Sequence, residues 1–255
     1  MIDDPLPQDW RELQAGVCRL FREIGLTAEV EVPLKTPRGK VTVDVFAVDN
    51  ESVDKIQYIV ECKNWDATIP QAVVHAFTTV MHETGANLGF IVSKHGLQPG
   101  ATMYTENTNI KGLTYQQLQQ RYFNVWWQRY FCIQVAAAAD AVNKYVEPIN
   151  SRRDRFLKAL RSNDIDSFHE LQRRYARFGK LMWLEDIRTT FPQYARDSPP
   201  DIEQYKSYLT ELLGEEFAFD ATHFRSLLAQ ICSKAQEIEE IFNTLFGRNI
   251  FHHEA

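Results

Sequence analysis

The spacing of hydrophobic residues changes period within the first fifty positions of the chain. Trp10, Leu13, Val17, Leu20, Phe21 and Ile24 recur at three- and four-residue intervals, the stripe of an amphipathic helix. Asp9 suits its N-cap, and Gly25 suits the left-handed residue that closes such a helix. From Ala28 the period falls to two. Strands are expected over residues 28–34 and 41–48, joined by the turn Thr36-Pro37-Arg38-Gly39, which together read as a hairpin. A polar turn at 49–55 leads into a third strand over 56–63.

Residues 71–84 return to helical spacing, with Ala72, Val73, Ala76, Phe77 and Val80 on the apolar face. Leu88–Ser93 is a short apolar run of the kind buried on both faces of a sheet. A helical piece near 99–106 and a small strand at 112–115 complete the order α-β-β-β-α-β-α-β. That order predicts an α/β layer, a mixed sheet flanked by helices.

Beyond about residue 120 every strand signal disappears. Helical patterning covers 124–147, 149–162, 164–191, 201–214 and 221–246, with a break at Ser198-Pro199-Pro200 and an N-terminal signal at Asp201. The expected division is 1–123 for the α/β part and 124–255 for an all-helical part. Tyr122, Phe123, Trp126, Trp127, Tyr130 and Phe131 surround one helix on nearly all sides. A helix apolar all round is buried, which makes this stretch a candidate seam between domains or a dimer interface.

Composition adds limits. The four cysteines, Cys18, Cys62, Cys132 and Cys232, are far apart and form no CxxC pair, so neither a zinc site nor a disulfide framework is indicated. His75, His82 and His95 match no zinc spacing either. No apolar run is long enough to span a bilayer, and MIDDPLPQDW lacks the layout of a signal peptide; a cytoplasmic protein without membrane association is expected. The net charge of −6 conceals an uneven distribution: residues 151–196 carry 11 basic against 6 acidic side chains, and residues 197–255 carry 4 against 11. Arg152, Arg153, Arg155 and Lys158 begin the basic stretch. They form either a surface that follows phosphates or a solvated face paired to the acidic C-terminal helices.

The chemistry concentrates in VTVDVFAV and YIVECKNW. Asp44 interrupts the first apolar strand, and Glu61 with Lys63 interrupts the second. Alternation puts Glu61 and Lys63 on one face, roughly 6.7 Å apart along the strand. Two carboxylates and a lysine at the end of a sheet can hold a divalent metal and a phosphate. Mg²⁺, for which Mn²⁺ can substitute, takes one or two carboxylates plus waters and substrate oxygens. Asp44, Glu61 and the Cys62 carbonyl are the candidate ligands, and Lys63 would orient or deprotonate the attacking water and hold phosphate charge. Taken alone the pattern is weak, since charged residues at strand ends are common, but an unpaired charge in strands this apolar would be costly to bury.

With those residues in place, positions from about 8 to 121 resemble the Mrr-like branch of the PD-(D/E)xK restriction-endonuclease superfamily. The resemblance rests on LFREIGL, VDVFAV, IVECKNW, FIVSKHG with LQPGA after it, and GLTYQQL. It implies a restriction-endonuclease-like fold, with Asp44 and Glu61 as metal carboxylates and Lys63 as the catalytic lysine. Gln71, at the start of the next helix, would face the site. A helix-one acid is expected near it: Glu12 is the candidate, although the spacing to Gly25 favours Gln14. Val43 stands where the superfamily's proline would be, and TPRGKVTVD has a single glycine where relatives have several. Lys35 is a candidate phosphate contact.

The function implied is a Mg²⁺-dependent DNA endonuclease of bacterial restriction or anti-phage defence, acting on double-stranded DNA as a homodimer or with a companion defence protein. Two other readings stay open: a catalytically silent module that binds nucleic acid or a partner, and a nuclease-fold enzyme acting on RNA or nucleotides. The helical part would serve regulation, dimerisation or the binding of DNA or a partner.

Overall fold

A computed structural model describes residues 1–190 and 200–252. The break expected at Ser198 and Pro199 lies outside the described residues. The chain divides into two compact units, 1–126 and 127–255.

In the first unit, α1 (Trp10–Glu23) precedes β1 (Thr27–Thr36), β2 (Gly39–Val48) and β3 (Gln57–Lys63). Then come α2 (Gln71–Thr84), β4 (Leu88–Ser93), α3 (Pro99–Thr105), β5 (Ile110–Thr114) and α4 (Tyr115–Trp126). The strands form one sheet in sequence order. β1, β2 and β3 pair antiparallel, while β3, β4 and β5 pair parallel. The two antiparallel links need only tight connections. Each parallel link needs a crossover, which α2 and α3 provide.

The sheet is covered on both faces because its side chains alternate. Phe21 of α1 packs against Tyr58 and Phe90 with ring centroids 6.0 and 6.1 Å apart, and Tyr122 of α4 joins them at 5.6 Å from Phe21. On the opposite face Val74, Phe77 and Met81 of α2 pack with Ile59 and Ile91. Gly89 permits that close approach: a Cβ there would lie 2.6 Å from the Met81 sulfur and 2.7 Å from the Phe77 ring. Ile59, Glu61 and Lys63 share the α2 face by alternation, so the two charged residues continue a row that begins in the core.

The last strand starts two residues earlier and ends one residue earlier than expected, and its end has a physical reason. Thr114 N–H donates to Gln117 Oε1 at 2.9 Å, and Gln117 N–H donates to Thr114 Oγ1 at 3.1 Å. This reciprocal cap starts a helix, so Tyr115 opens α4 instead of ending β5.

In the second unit a π-helical turn, Trp127–Phe131, leads into α5 (Cys132–Val146). It continues with α6 (Ser151–Leu157), α7 (Ser162–Thr190), α8 (Ile202–Leu213) and α9 (Phe224–Phe246). Trp127 and Phe131 stack at 4.5 Å and meet Tyr205 and Phe224 edge-on. Tyr145 stacks on Phe242 at 4.8 Å, and its hydroxyl donates to Asn243 Oδ1 at 2.7 Å. Burial pushes the Tyr145 phenol up to about 12. Among the described residues no helix is long and apolar enough to cross a membrane.

Candidate active site

Three strands and a helix start converge on one cavity of about 750 Å³ in the first unit. Gln8, Asp9, Trp10 and Gln14 line it from the beginning of α1, Glu31 from β1, Thr42 and Asp44 from β2, and residues Cys62 to Trp65 from the end of β3. The ladder between β2 and β3 runs from Val48↔Gln57 to Val45↔Val60. Asp44 and Glu61 are the next residues on each strand, at the point where the two strands part.

Asp44 does not float in this opening. Its Oδ2 accepts the backbone N–H of Cys62 at 2.6 Å, which fixes the carboxylate against β3 and leaves Oδ1 for a ligand. Glu61 and Lys63, each about a quarter exposed, form an ion pair. The Lys63 ammonium also lies 5.6 Å from the centre of the Trp65 ring, an attraction that further restrains it. Burial raises the Cys62 thiol well above its ordinary value, and the negative charges of Asp44 and then Glu61 push it further. That thiol is therefore neutral, and Cys62 can offer a metal only its carbonyl oxygen.

The available donors are hard oxygens: carboxylates, a carbonyl and room for water. They fit Mg²⁺ or Mn²⁺, which need one or two carboxylates with the remaining positions filled by water and substrate, better than zinc. Among the described residues no group of three or more His, Cys, Asp and Glu side chains is placed to hold an ion without such help.

Several expected residues lie elsewhere. Glu12 lies outside the cavity, because its carboxylate accepts the Gln8 N–H at 2.6 Å and so caps the start of α1. Gln14 lines the cavity instead, and it is only 5% exposed. Gln71 is turned away: its amide sits 3.2 Å from His75 Nε2 one turn along α2, with its oxygen beside Gly100 of α3. Lys35 is exposed on the arm of the hairpin opposite Lys40 and does not line the cavity.

In the second unit, Arg152 donates to the Ile250 carbonyl and Arg153 is buried. Arg153 reaches the carbonyls of Tyr145 and Glu147 and the Asp154 carboxylate. Arg153 is therefore not available to a phosphate, whereas Arg152 is half-buried with one nitrogen engaged. Arg155 and Lys158 are exposed. Arg174 pairs with Glu216 through two nitrogens, so part of the basic stretch does meet acidic residues that follow it.

Glu31 is a cavity residue that sequence reasoning missed. It has φ 52°, a left-handed conformation that few non-glycine residues adopt. The β1–β2 ladder pairs Val30 with Val45 and Val32 with Val43, which puts Glu31 opposite Asp44 at the one position where pairing lapses. Counting back from the turn at Pro37-Arg38 reaches the same alignment, so the signal was present in the sequence.

A mixed five-stranded sheet with an aspartate and Glu-x-Lys at the end of its central strands defines a nuclease domain of the restriction-endonuclease type. The family model Mrr_cat, described as "Restriction endonuclease", matches residues 7–122, and this part of the chain is similar to that family. No curated protein matches the chain. A solved structure titled "Crystal Structure of Protein of Unknown Function AF1548" is 12% identical. The match covers 91% of this chain and 99% of that one, with a TM-score of 0.39, too distant to bear on fold or function.

Proposed function

We propose that the first unit is a Mg²⁺-dependent endodeoxyribonuclease that cuts double-stranded DNA in restriction or anti-phage defence. The observation that carries this reading is the shared cavity of Asp44 and Lys63, with Asp44 tied to the Cys62 N–H and Lys63 tied to Glu61. The family match supports the nuclease class.

Asp44, Glu61 and the Cys62 carbonyl would hold the metal, which would neutralise phosphoryl charge and lower the pKa of a bound water. The remaining work falls to this chain's own groups. Lys63 donates to a phosphoryl oxygen and orients the attacking water, and Glu61 holds its ammonium in reach. The Cys62 N–H keeps Asp44 from turning into solvent. The helical unit would carry target choice, dimerisation or control, with Arg155 and Lys158 as its phosphate contacts.

The test is incubation of the purified full chain with plasmid and phage DNA, unmodified and base-modified, in Mg²⁺ or Mn²⁺. Asp44→Ala and Lys63→Ala run beside it, together with an RNA substrate. Metal-dependent DNA cleavage lost in both variants is the expected result. No cleavage of any DNA by the wild type overturns the proposal, and cleavage of RNA alone replaces its substrate.

A further inference from the structure

The cavity holds more than the groups that phosphate hydrolysis requires. Two large indoles line it, Trp10 from α1 and Trp65 from the segment after β3. They are 40% and 45% exposed. Each already has a cation against its ring: the Arg11 guanidinium carbon is 4.5 Å from the Trp10 ring centre, and the Lys63 ammonium is 5.6 Å from that of Trp65. Neither a divalent ion nor a phosphate needs an aromatic wall.

Two amides, Asn64 and Gln14, line the same cavity. Asn64 Nδ2 donates to the Pro7 carbonyl at 3.5 Å, which fixes the amide, while its Oδ1 is buried with no hydrogen-bond donor. Gln14 is 95% buried and lines the cavity. Buried amide groups are ordinarily satisfied by protein or by ordered water, so the Asn64 acceptor beside the cavity is a group that a ligand N–H or O–H would satisfy. A flat π-face together with donors and acceptors along one edge describes a nucleobase. Aromatic rings stack on any base, and asparagine or glutamine amides bond to its edge.

We infer that this cavity takes up an unpaired nucleobase next to the scissile phosphate, stacked against Trp10 or Trp65 and bonded through its edge to Asn64 and Gln14. The substrate class is thereby narrowed to DNA with a base free of its partner, either extruded from the duplex or lying in a bulge, a gap or a frayed end. The inference rests on the reading of the cavity as the place where a DNA strand is cut. Arg11 and Lys63, beside the two rings, add positive charge next to the same nucleotide.

The experiment measures binding and not turnover. The full chain is titrated in Ca²⁺ with a duplex carrying one bulged 2-aminopurine, and with the same duplex in which 2-aminopurine is paired to thymine. The bulged probe should bind at least about tenfold more tightly, in line with the worth of one base–aromatic stack, and its fluorescence should be quenched. Trp10→Ala with Trp65→Ala should abolish the preference, whereas Trp10→Phe with Trp65→Phe, which keeps rings able to stack and serves as the folding control, should retain most of it. Equal binding of the two probes by the wild type overturns the inference. So does a full preference in a double alanine variant whose circular dichroism is unchanged.

Plasmid cleavage in Mg²⁺, measured in parallel, separates the two proposals. Cutting without preference removes only the base pocket. Preference without cutting upholds the pocket and removes only the nuclease.

Discussion

Asp44 Oδ2 accepts the Cys62 backbone N–H at 2.6 Å, so the carboxylate on β2 is clamped to the strand that carries Glu61 and Lys63. The bond gives Asp44 a structural role separable from its proposed chemistry. Asp44→Ala should leave the Cys62 N–H without its acceptor and destabilise the first unit by about 1–3 kcal/mol. Asp44→Asn keeps an acceptor and should recover most of that loss, yet still cut cleavage at least about a hundredfold, because a neutral amide is a poor ligand for Mg²⁺. Urea denaturation beside plasmid cleavage reads the two effects. Equal stability of the two variants would show that the bond contributes nothing.

Glu61 and Lys63 should fail in different ways. Glu61→Gln removes a carboxylate that would bind metal, so the Mg²⁺ concentration for half-maximal cleavage should rise. Lys63→Ala should leave that requirement nearly unchanged and lower the maximal rate by roughly 10²- to 10⁴-fold. Lys63→Arg should restore little, since the planar guanidinium cannot occupy the place of a compact ammonium paired to Glu61. A metal titration of each variant checks this, and identical curves for Glu61→Gln and the wild type would remove Glu61 from the ligand set.

Much of this site was legible in the sequence. Period-two alternation placed Glu61 and Lys63 on one face, and the apolar runs around Asp44, Glu61 and Lys63 marked them as residues held at a sheet end. The failures are local. Glu12 is an acid in the first turn of a helix, and free backbone N–H groups nearby draw such a carboxylate, here to Gln8. Gln71 has a histidine four residues on, and an i, i+4 contact within the helix pulls its side chain from the site. Arg153 is indistinguishable from Arg155 by composition; only the fold of α5 and α6 around it buries the one and exposes the other. Glu31 needed the hairpin register to be counted back from its turn.

The thiols give a pH dependence of definite sign. Burial is the leading cause that raises Cys62, Cys18 and Cys232 above the ordinary 9.0. Each then keeps its proton in the folded chain at a pH where the unfolded chain has lost it. The folded state binds more protons, and stability should therefore fall as the pH rises above about 9. Denaturation midpoints between pH 7 and 10 measure the slope. Cys62 should also resist iodoacetamide at pH 8 until the chain is unfolded; rapid labelling of the native protein at Cys62 would contradict its burial.

Arg153 and Arg155 are two positions apart in α6 and should behave oppositely. Arg153 is 3% exposed, and its guanidinium serves the Tyr145 and Glu147 carbonyls and the Asp154 carboxylate together. Arg153→Ala leaves the Tyr145 and Glu147 carbonyls without their donor, at a cost of about 1–3 kcal/mol, while the half-exposed Asp154 carboxylate turns to water. Arg153→Lys should recover only part of it, since one ammonium cannot span the same fork. Arg155→Ala and Lys158→Ala, both at exposed positions, should stay within about 0.5 kcal/mol of the wild type. If these two contact phosphates, each substitution should also lower the slope of log affinity against log salt by about 0.9 for duplex DNA. Chemical denaturation and salt-dependent binding of the full chain decide both halves. An unchanged salt slope would take Arg155 and Lys158 out of the DNA surface, and a stable Arg153→Ala would show that the buried guanidinium is not needed by the fold.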